Sequence, residues 1–409
     1  MKLARQQVVR VAALGAAALV AAGWWWPMRD SAPTGVCLQT DNRPSFPGDG
    51  MVWIAPGHFK MGSEAFRIEE APVHEVAVDG FWIDDHDVTN AQFDRFVRET
   101  GYVTRAERRN GGLPPGAFVF VAPEEVHDLH EIEQWWKFVS GANWRHPEGP
   151  RSDVASRMNH PVVQIAYEDA EAYARWAGHS LPTEAQWEFA ARGGLDGKTF
   201  VWGDEADHDG EPQANFWHGV FPVLNLGAKG YKGTTPVGCF KQNGFGLYDM
   251  AGNVWQWTRD PWSGSGSEAD VPYAPSVRSF RVIKGGSFLC AANFCARYRP
   301  AARQPGDADV GTSHIGFRTV LATTSREQLK AVHPIAAKCY RDDANATSRG
   351  AYETRDAGNS GADRLAARWI ASAAKRGRAQ ARRVLREGQG LPSLSRRPRR
   401  DFCRYQAQQ

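Results

Sequence analysis

The stretch Arg281–Arg303, RVIKGGSFLCAANFCARYRPAAR, constrains this chain more than any other. The apolar and basic run Arg281–Lys284, closed by Gly285-Gly286, predicts a strand that ends in a tight turn. Two cysteines follow, Cys290 and Cys295, in a C-x4-C spacing, and then Arg297, Arg299 and Arg303. Thiols this close can form a disulfide, which is the simpler reading, or bind a soft metal as thiolates. Sulfur ligands favour Cu(I), Zn(II) or iron–sulfur clusters. No second cysteine pair stands at zinc-finger spacing, which argues against a four-sulfur zinc site.

Glycine and tryptophan are both abundant, at 41 and 16 residues, which suggests a loop-rich fold pinned by large side chains. Within it three helices are expected. Thr89 or Asn90 caps a helix that turns Phe93, Phe96 and Val97 to one face and stops at Gly101. Glu168–Ala177 is amphipathic and ends at Gly178. Thr183 with Gln186 forms a capping box for a third helix in Leu181–Gly194. Met51–Ser63 alternates around a Pro-Gly turn and reads as a hairpin, and His160–Ile165 reads as a strand.

The segment GGSFLCAANFCARYRPAAR, followed by SHIGFR at Ser313–Arg318, resembles the active-site segment of formylglycine-generating enzymes, also called sulfatase-modifying factors. Three further stretches share the resemblance: GANWRHPEGP (Gly141–Pro150), LPTEAQWEFAARGG (Leu181–Gly194) and NGFGLYDMAGNVWQW (Asn243–Trp257). It extends over roughly Met51–Val320. The resemblance implies an α+β unit with little regular secondary structure, the formylglycine-generating-enzyme fold related to the C-type lectin fold. It also implies a copper-dependent oxidase. Such an enzyme uses O2 to convert the cysteine of an unfolded sulfatase segment, Cys-x-Pro-x-Arg, to Cα-formylglycine.

By that resemblance Cys290 and Cys295 are the catalytic pair and hold Cu(I), while Ser287, Trp255, Arg303, Ser313 and His314 meet the substrate. The chain departs from the family in detail. His314 replaces a common asparagine, and Phe294 stands where some members have tyrosine. Arg297, Arg299 and Arg303 are candidate cations for stabilising thiolates. The family's two calcium sites carry over unevenly. Asn215, Phe216 and Tyr231 match the first, but Lys229 falls where an acidic ligand is common, and an ammonium cannot coordinate Ca2+. Asp249, Gly252 and Val254 match the second, where Gln256 replaces Glu with a less charged oxygen. Pro300 and Thr319 stand where some members have disulfide cysteines. Cys37, Cys239, Cys339 and Cys403 are therefore left without assigned partners.

The alternative is a non-catalytic protein- or glycan-binding module on the same fold, which has no need of two cysteines in a cleft loop. A related iron enzyme is disfavoured because His127 and His130 lack an H-x3-H-x-E pattern; both read as surface histidines. Residues 1–27 read as a signal peptide or an N-terminal membrane anchor. Lys2, Arg5 and Arg10 form its basic flank and residues 11–26 its apolar run. Either reading exports the chain to the periplasm or the extracellular space, free or held at the inner membrane. Residues 28–50 form a linker, 51–322 the main domain, and 323–409 a polar then basic extension with a helical Ala-rich stretch. The net charge of +3 gives no reason to expect a nucleic-acid partner.

Overall fold

The computed structural model describes residues 37–322, apart from 48, 110–111, 207–210 and 264–278. The export segment, the first part of the linker, and the extension with Cys339 and Cys403 lie outside the described residues. In chain order the strands begin with β1 (Phe46–Pro47), β2 (Gly50–Ile54), β3 (Gly57–Met61), β4 (His74–Val78) and β5 (Phe81–Asp84). They continue with β6 (Gly116–Phe120), β7 (Trp136–Ser140), β8 (Gly219–Val220), β9 (Leu224–Asn225) and β10 (Trp255–Pro261). The last are β11 (Phe280–Lys284), β12 (Arg303–Asp307), β13 (Ile315–Gly316) and β14 (Val320–Ala322). The helices are α1 (Asn90–Thr100), α2 (Tyr167–Ala177) and α3 (Glu184–Arg192).

Helix boundaries follow their caps. Thr89 and Gln92 close a capping box on α1, and Gly101 ends it at φ 69°. Thr183 and Gln186 do the same for α3, which Gly193 ends at φ 57°. α2 starts one residue before the expected Glu168, because the Asp169 carboxylate accepts the Ala166 N–H at 3.0 Å and caps the first turn from inside. Phe93 and Phe96 of α1 pack on Tyr173 of α2, with ring centroids 6.0 and 5.7 Å apart. This aromatic layer belongs to the same core as Trp144, Trp255, Trp257 and Cys290.

Two local expectations are corrected. β2 and β3 do not form a hairpin: β2 pairs with β1 and β5, and β3 pairs with β4. The segment His160–Ile165 is not a strand. Pro161 lacks an N–H and Gln164 sits at φ 61°, so the segment instead bonds singly to its neighbours, Val162 N–H to Val88 O and Gln164 N–H to Thr312 O.

Two four-stranded sheets organise the domain. One has the order β1-β2-β5-β14 and joins the two ends of the domain; the other has the order β12-β11-β10-β13. In the second, β11 and β12 are antiparallel with Lys284 opposite Arg303, so they clamp both ends of the loop that carries the cysteines. Helix α3 locks that clamp. Lys284, fully buried, lies 2.9 Å from Glu188 and 3.4 Å from Glu184, and Arg303 lies 2.8 Å from Glu184. Burial pushes the Glu188 carboxyl up, but Lys284 and then Arg192 outweigh it and hold it below the usual carboxylate value. The LPTEAQWEFAARGG stretch thus supplies the counter-charges for the root of the cysteine loop.

Candidate active site

Gly285 and Gly286 leave β11 at φ 94° and 72°, a turn that brings the chain back over the sheet. The Cys290 N–H bonds to the Ser287 carbonyl at 3.0 Å, and Ala291 and Phe294 exchange backbone bonds of 2.8 and 3.1 Å. These contacts fold the five-residue step into a tight knot. Cys290 and Cys295 are joined in it as a disulfide with Cα atoms 5.1 Å apart. Cys295 and Ala296 both adopt left-handed backbone, at φ 70° and 50°, which costs energy for residues with a Cβ and needs surrounding support.

The support comes from residues 67–70. Arg67 Nη2 donates to the Cys295 carbonyl at 3.1 Å. Glu69 pairs with Arg297 at 2.9 Å, and Glu70 takes a bidentate pair from Arg299 at 2.7 and 2.6 Å. The three arginines that the sequence offers as thiolate partners are thus each matched by a carboxylate: Arg297 by Glu69, Arg299 by Glu70 and Arg303 by Glu184.

The disulfide lines an open cleft. Ser287, Trp255 and His314 line it with the two cysteines. Ser313 and Arg303 do not. Ser313 Oγ accepts the Phe120 N–H at 3.1 Å and ties the loop to β6. Arg303 pairs with Glu184 and lies over the Trp262 ring at 4.7 Å. Gln304 faces the cleft in its place, because successive strand residues point to opposite sides. The remaining wall is aromatic and aliphatic: Ile132, Trp135, Trp136, Phe221, Leu289 and Phe294, with Arg297 at one side. Sequence reasoning singled out only Phe294 and Arg297 among these; for the others the Trp135-Trp136 pair at the start of β7 was the available signal. His314 lies against Trp136, 4.7 Å between centroids with the planes tilted by 46°, and shares a 2.9 Å bond with Thr312 Oγ1. Burial pushes its imidazole down to about 3, so it is neutral and contributes hydrogen bonding, not charge.

Copper fits this donor set. Once the disulfide is reduced, Cys290 and Cys295 offer two thiolates on one wall of the cleft, the soft ligands that Cu(I) accepts. Calcium does not fit the residues that the sequence aligned with it. Lys229 Nζ donates to the Cys239 carbonyl at 2.7 Å and lies 4.7 Å from the Phe240 ring, so an internal cation occupies that corner. Asn215 turns its amide N–H toward Gly233 O at 2.9 Å, and Tyr231 O accepts from Ala228 N–H at 3.0 Å. At the second position Gln256 Oε1 already accepts from Trp187 Nε1 (2.6 Å) and Arg318 Nε (2.8 Å). Its Nε2 donates to Asp249 O at 2.9 Å, and the Asp249 carboxylate accepts Gly238 N–H at 2.8 Å. Gly252 and Val254 lie in the same buried turn. At both places an N–H donor is aimed at an oxygen that a cation would need. Next to the first, Cys37 and Cys239, unassigned in the sequence, form a second disulfide.

A family model described as the sulfatase-modifying factor enzyme 1-like domain matches residues 38–323. A formylglycine-generating enzyme of Mycobacterium tuberculosis is 49% identical over 290 residues, which cover 66% of this chain and 97% of that protein. One of Mus musculus is 45% identical over 274 residues, 66% of this chain and 74% of that protein. A Mus musculus relative named an inactive Cα-formylglycine-generating enzyme 2 is 37% identical over 273 residues, 66% of this chain and 84% of that protein.

Proposed function

Because the chain belongs to the sulfatase-modifying factor enzyme 1-like family and has its α+β fold, we propose that it is an enzyme that matures sulfatases by turning a cysteine into Cα-formylglycine. The observation that carries the reading is the Cys290–Cys295 pair in the wall of an apolar cleft. The substrate is an extended sulfatase segment of the form Cys-x-Pro-x-Arg, and O2 is the oxidant.

Reduced Cys290 and Cys295 would hold one copper ion, which would supply O2 activation. The aromatic wall excludes water around the reacting carbon. Ser287 and Gln304 supply the polar lining, neutral His314 can orient a group without charging the site, and Glu69 balances Arg297. The atoms balance as follows. The substrate's thiol-bearing carbon loses two electrons and two protons to become a thioaldehyde, two molecules of an external thiol supply two more of each and end as a disulfide, and together these reduce O2 to two waters. Hydrolysis of the thioaldehyde then takes the aldehyde oxygen from water and releases the sulfur as hydrogen sulfide.

The test is aerobic incubation of the copper-loaded protein with thiol reductant and a Cys-x-Pro-x-Arg peptide, followed by mass. Conversion lowers the peptide mass by about 18 Da, the difference between thiol and aldehyde. An unchanged peptide, with the protein folded and copper bound, overturns the oxidase. The non-catalytic binding reading, which the relative named inactive favours, would then replace it.

A further inference from the structure

The β8–β9 hairpin exposes four large apolar side chains: Val220 (55% exposed), Val223 (46%), Leu224 (51%) and Leu226 (68%). The strands pair Val220 with Leu224, so the group is one patch. Single exposed apolar residues need no explanation, but a contiguous group marks a surface that something covers.

Basic residues accompany the patch. Lys232 is exposed, and its carbonyl accepts Asn225 Nδ2–H at 3.2 Å. Its stem passes close to Gly227, where an added Cβ would stand 3.4 Å from Lys232 Cγ. Residues 212–248 contain Lys229, Lys232 and Lys241 and no Asp or Glu. Lys229 is turned inward to the Cys239 carbonyl, whereas Lys241 is exposed like Lys232.

The chain enters the domain at the same place. Cys37 is bridged to Cys239, and the pair packs with Ala228 and Phe240. Ala228 follows Leu226 by two positions, so this staple adjoins the end of the hairpin. The Leu38 N–H donates to Val237 O at 3.2 Å and fixes the entry further. Only residues 27–36 separate the staple from the apolar run 11–26. A segment of that length reaches at most about 35 Å. A bilayer holding the apolar run therefore lies within that reach of the staple beside the hairpin.

We infer that the β8–β9 hairpin rests on an anionic phospholipid bilayer, the one that holds residues 11–26. Its four aliphatic side chains enter the headgroup boundary and Lys232 meets the lipid phosphates. Interfacial binding of this kind combines buried apolar area with attraction of basic residues to anionic lipid, the two features found together here. A two-fold contact between copies would instead bring the lysines of both patches together. The inference concerns how the protein lies on a membrane and is independent of the chemistry proposed for the cysteines.

The experiment is hydrogen exchange followed by mass spectrometry on the full-length protein. It is run without lipid, on phosphatidylcholine vesicles, and on mixed phosphatidylcholine–phosphatidylglycerol vesicles. Amides of residues 219–227 should exchange about tenfold more slowly on the mixed vesicles. Lys232→Glu should lose most of that slowing, and so should the double variant Leu224→Ser, Leu226→Ser. These side chains are exposed, so both variants should unfold at the parent temperature. Protein that floats with the mixed vesicles without slowing at 219–227 overturns the inference, because the apolar run then acts alone. Slowing that appears without lipid and grows with protein concentration overturns it in favour of a second copy. Slowing produced by a soluble Ser-x-Pro-x-Arg peptide, and not by vesicles, overturns it in favour of a polypeptide. Equal slowing on neutral vesicles, unchanged by Lys232→Glu, overturns the anionic character of the surface. Conversion of a soluble peptide is read separately, so either proposal can fail without the other.

Discussion

The two disulfides of this protein close loops of very different length, and they belong to different kinds of surroundings. Cys37–Cys239 spans 202 positions and Cys290–Cys295 spans 5. In the chain-entropy view the long bridge stabilises the fold by about 5 kcal/mol and the short one by about 2. Around the long bridge lie Ala228 and Phe240, with Lys229 bonded to the Cys239 carbonyl. Around the short one lie an aromatic cleft, two left-handed residues and three arginine contacts from residues 67–70 and their partners. A bridge that does little for stability, yet is held in strained backbone on an open wall, is suited to chemistry. A bridge that closes half the chain in a packed corner is suited to holding it together.

The comparison breaks first on the cysteines themselves. Cys290→Ser or Cys295→Ser should reduce peptide conversion by about a thousandfold or more while lowering the unfolding free energy by about 2 kcal/mol or less. The Cys37→Ser, Cys239→Ser double variant should show the opposite: about 5 kcal/mol less stability in urea titration, with the conversion rate per folded molecule retained. Similar effects from both pairs would erase the distinction.

A calcium experiment sharpens the account of the stapled corner. Thermal unfolding of the parent protein should not change with chelator or added Ca2+, because Lys229 and the Gln256 amide already serve the oxygens there. Lys229→Asp removes the internal cation and restores an acidic ligand. It should make stability calcium-dependent, by about 2.7 kcal/mol at a hundredfold excess over Kd. A parent protein destabilised by chelator would contradict this reading.

The smallest effect concerns a group outside both bridges. Asp84 accepts Thr319 N–H and Oγ1–H at 2.6 and 2.7 Å, which ties β5 to β14, and burial pushes its carboxyl up to about 7. Between the unfolded value and 7 the folded state keeps a proton that the unfolded chain releases. The stabilisation it gives is therefore full below about pH 4 and is lost as pH rises through 7, at up to about 1.4 kcal/mol per pH unit. Asp84→Asn should flatten that slope in urea titrations between pH 5 and 7, equally in the parent and in both sets of cysteine variants.

Much of the site was legible because it is local. The glycine turn and the caps of α1 and α3 are each set by neighbours within a few residues, and they formed as read. What depended on distant partners was not legible. Alternation around Pro56-Gly57 cannot say that β2 will choose β5 and β3 will choose β4. Nothing near Cys37 identifies Cys239, 202 positions away. Arg303 and Gln304 show the limit most simply: a one-residue step along β12 exchanges the cleft for the Glu184 ion pair, and only the register decides which residue faces inward.

The most direct measurement is native mass spectrometry of the reduced protein titrated with Cu(I) under anaerobic conditions. The account predicts one copper ion per chain, lost in Cys290→Ser and in Cys295→Ser and retained in the Cys37→Ser, Cys239→Ser double variant. Copper that stays bound without Cys290 or Cys295, or that depends on Cys37 and Cys239, would contradict the assignment of the short bridge as the reactive one.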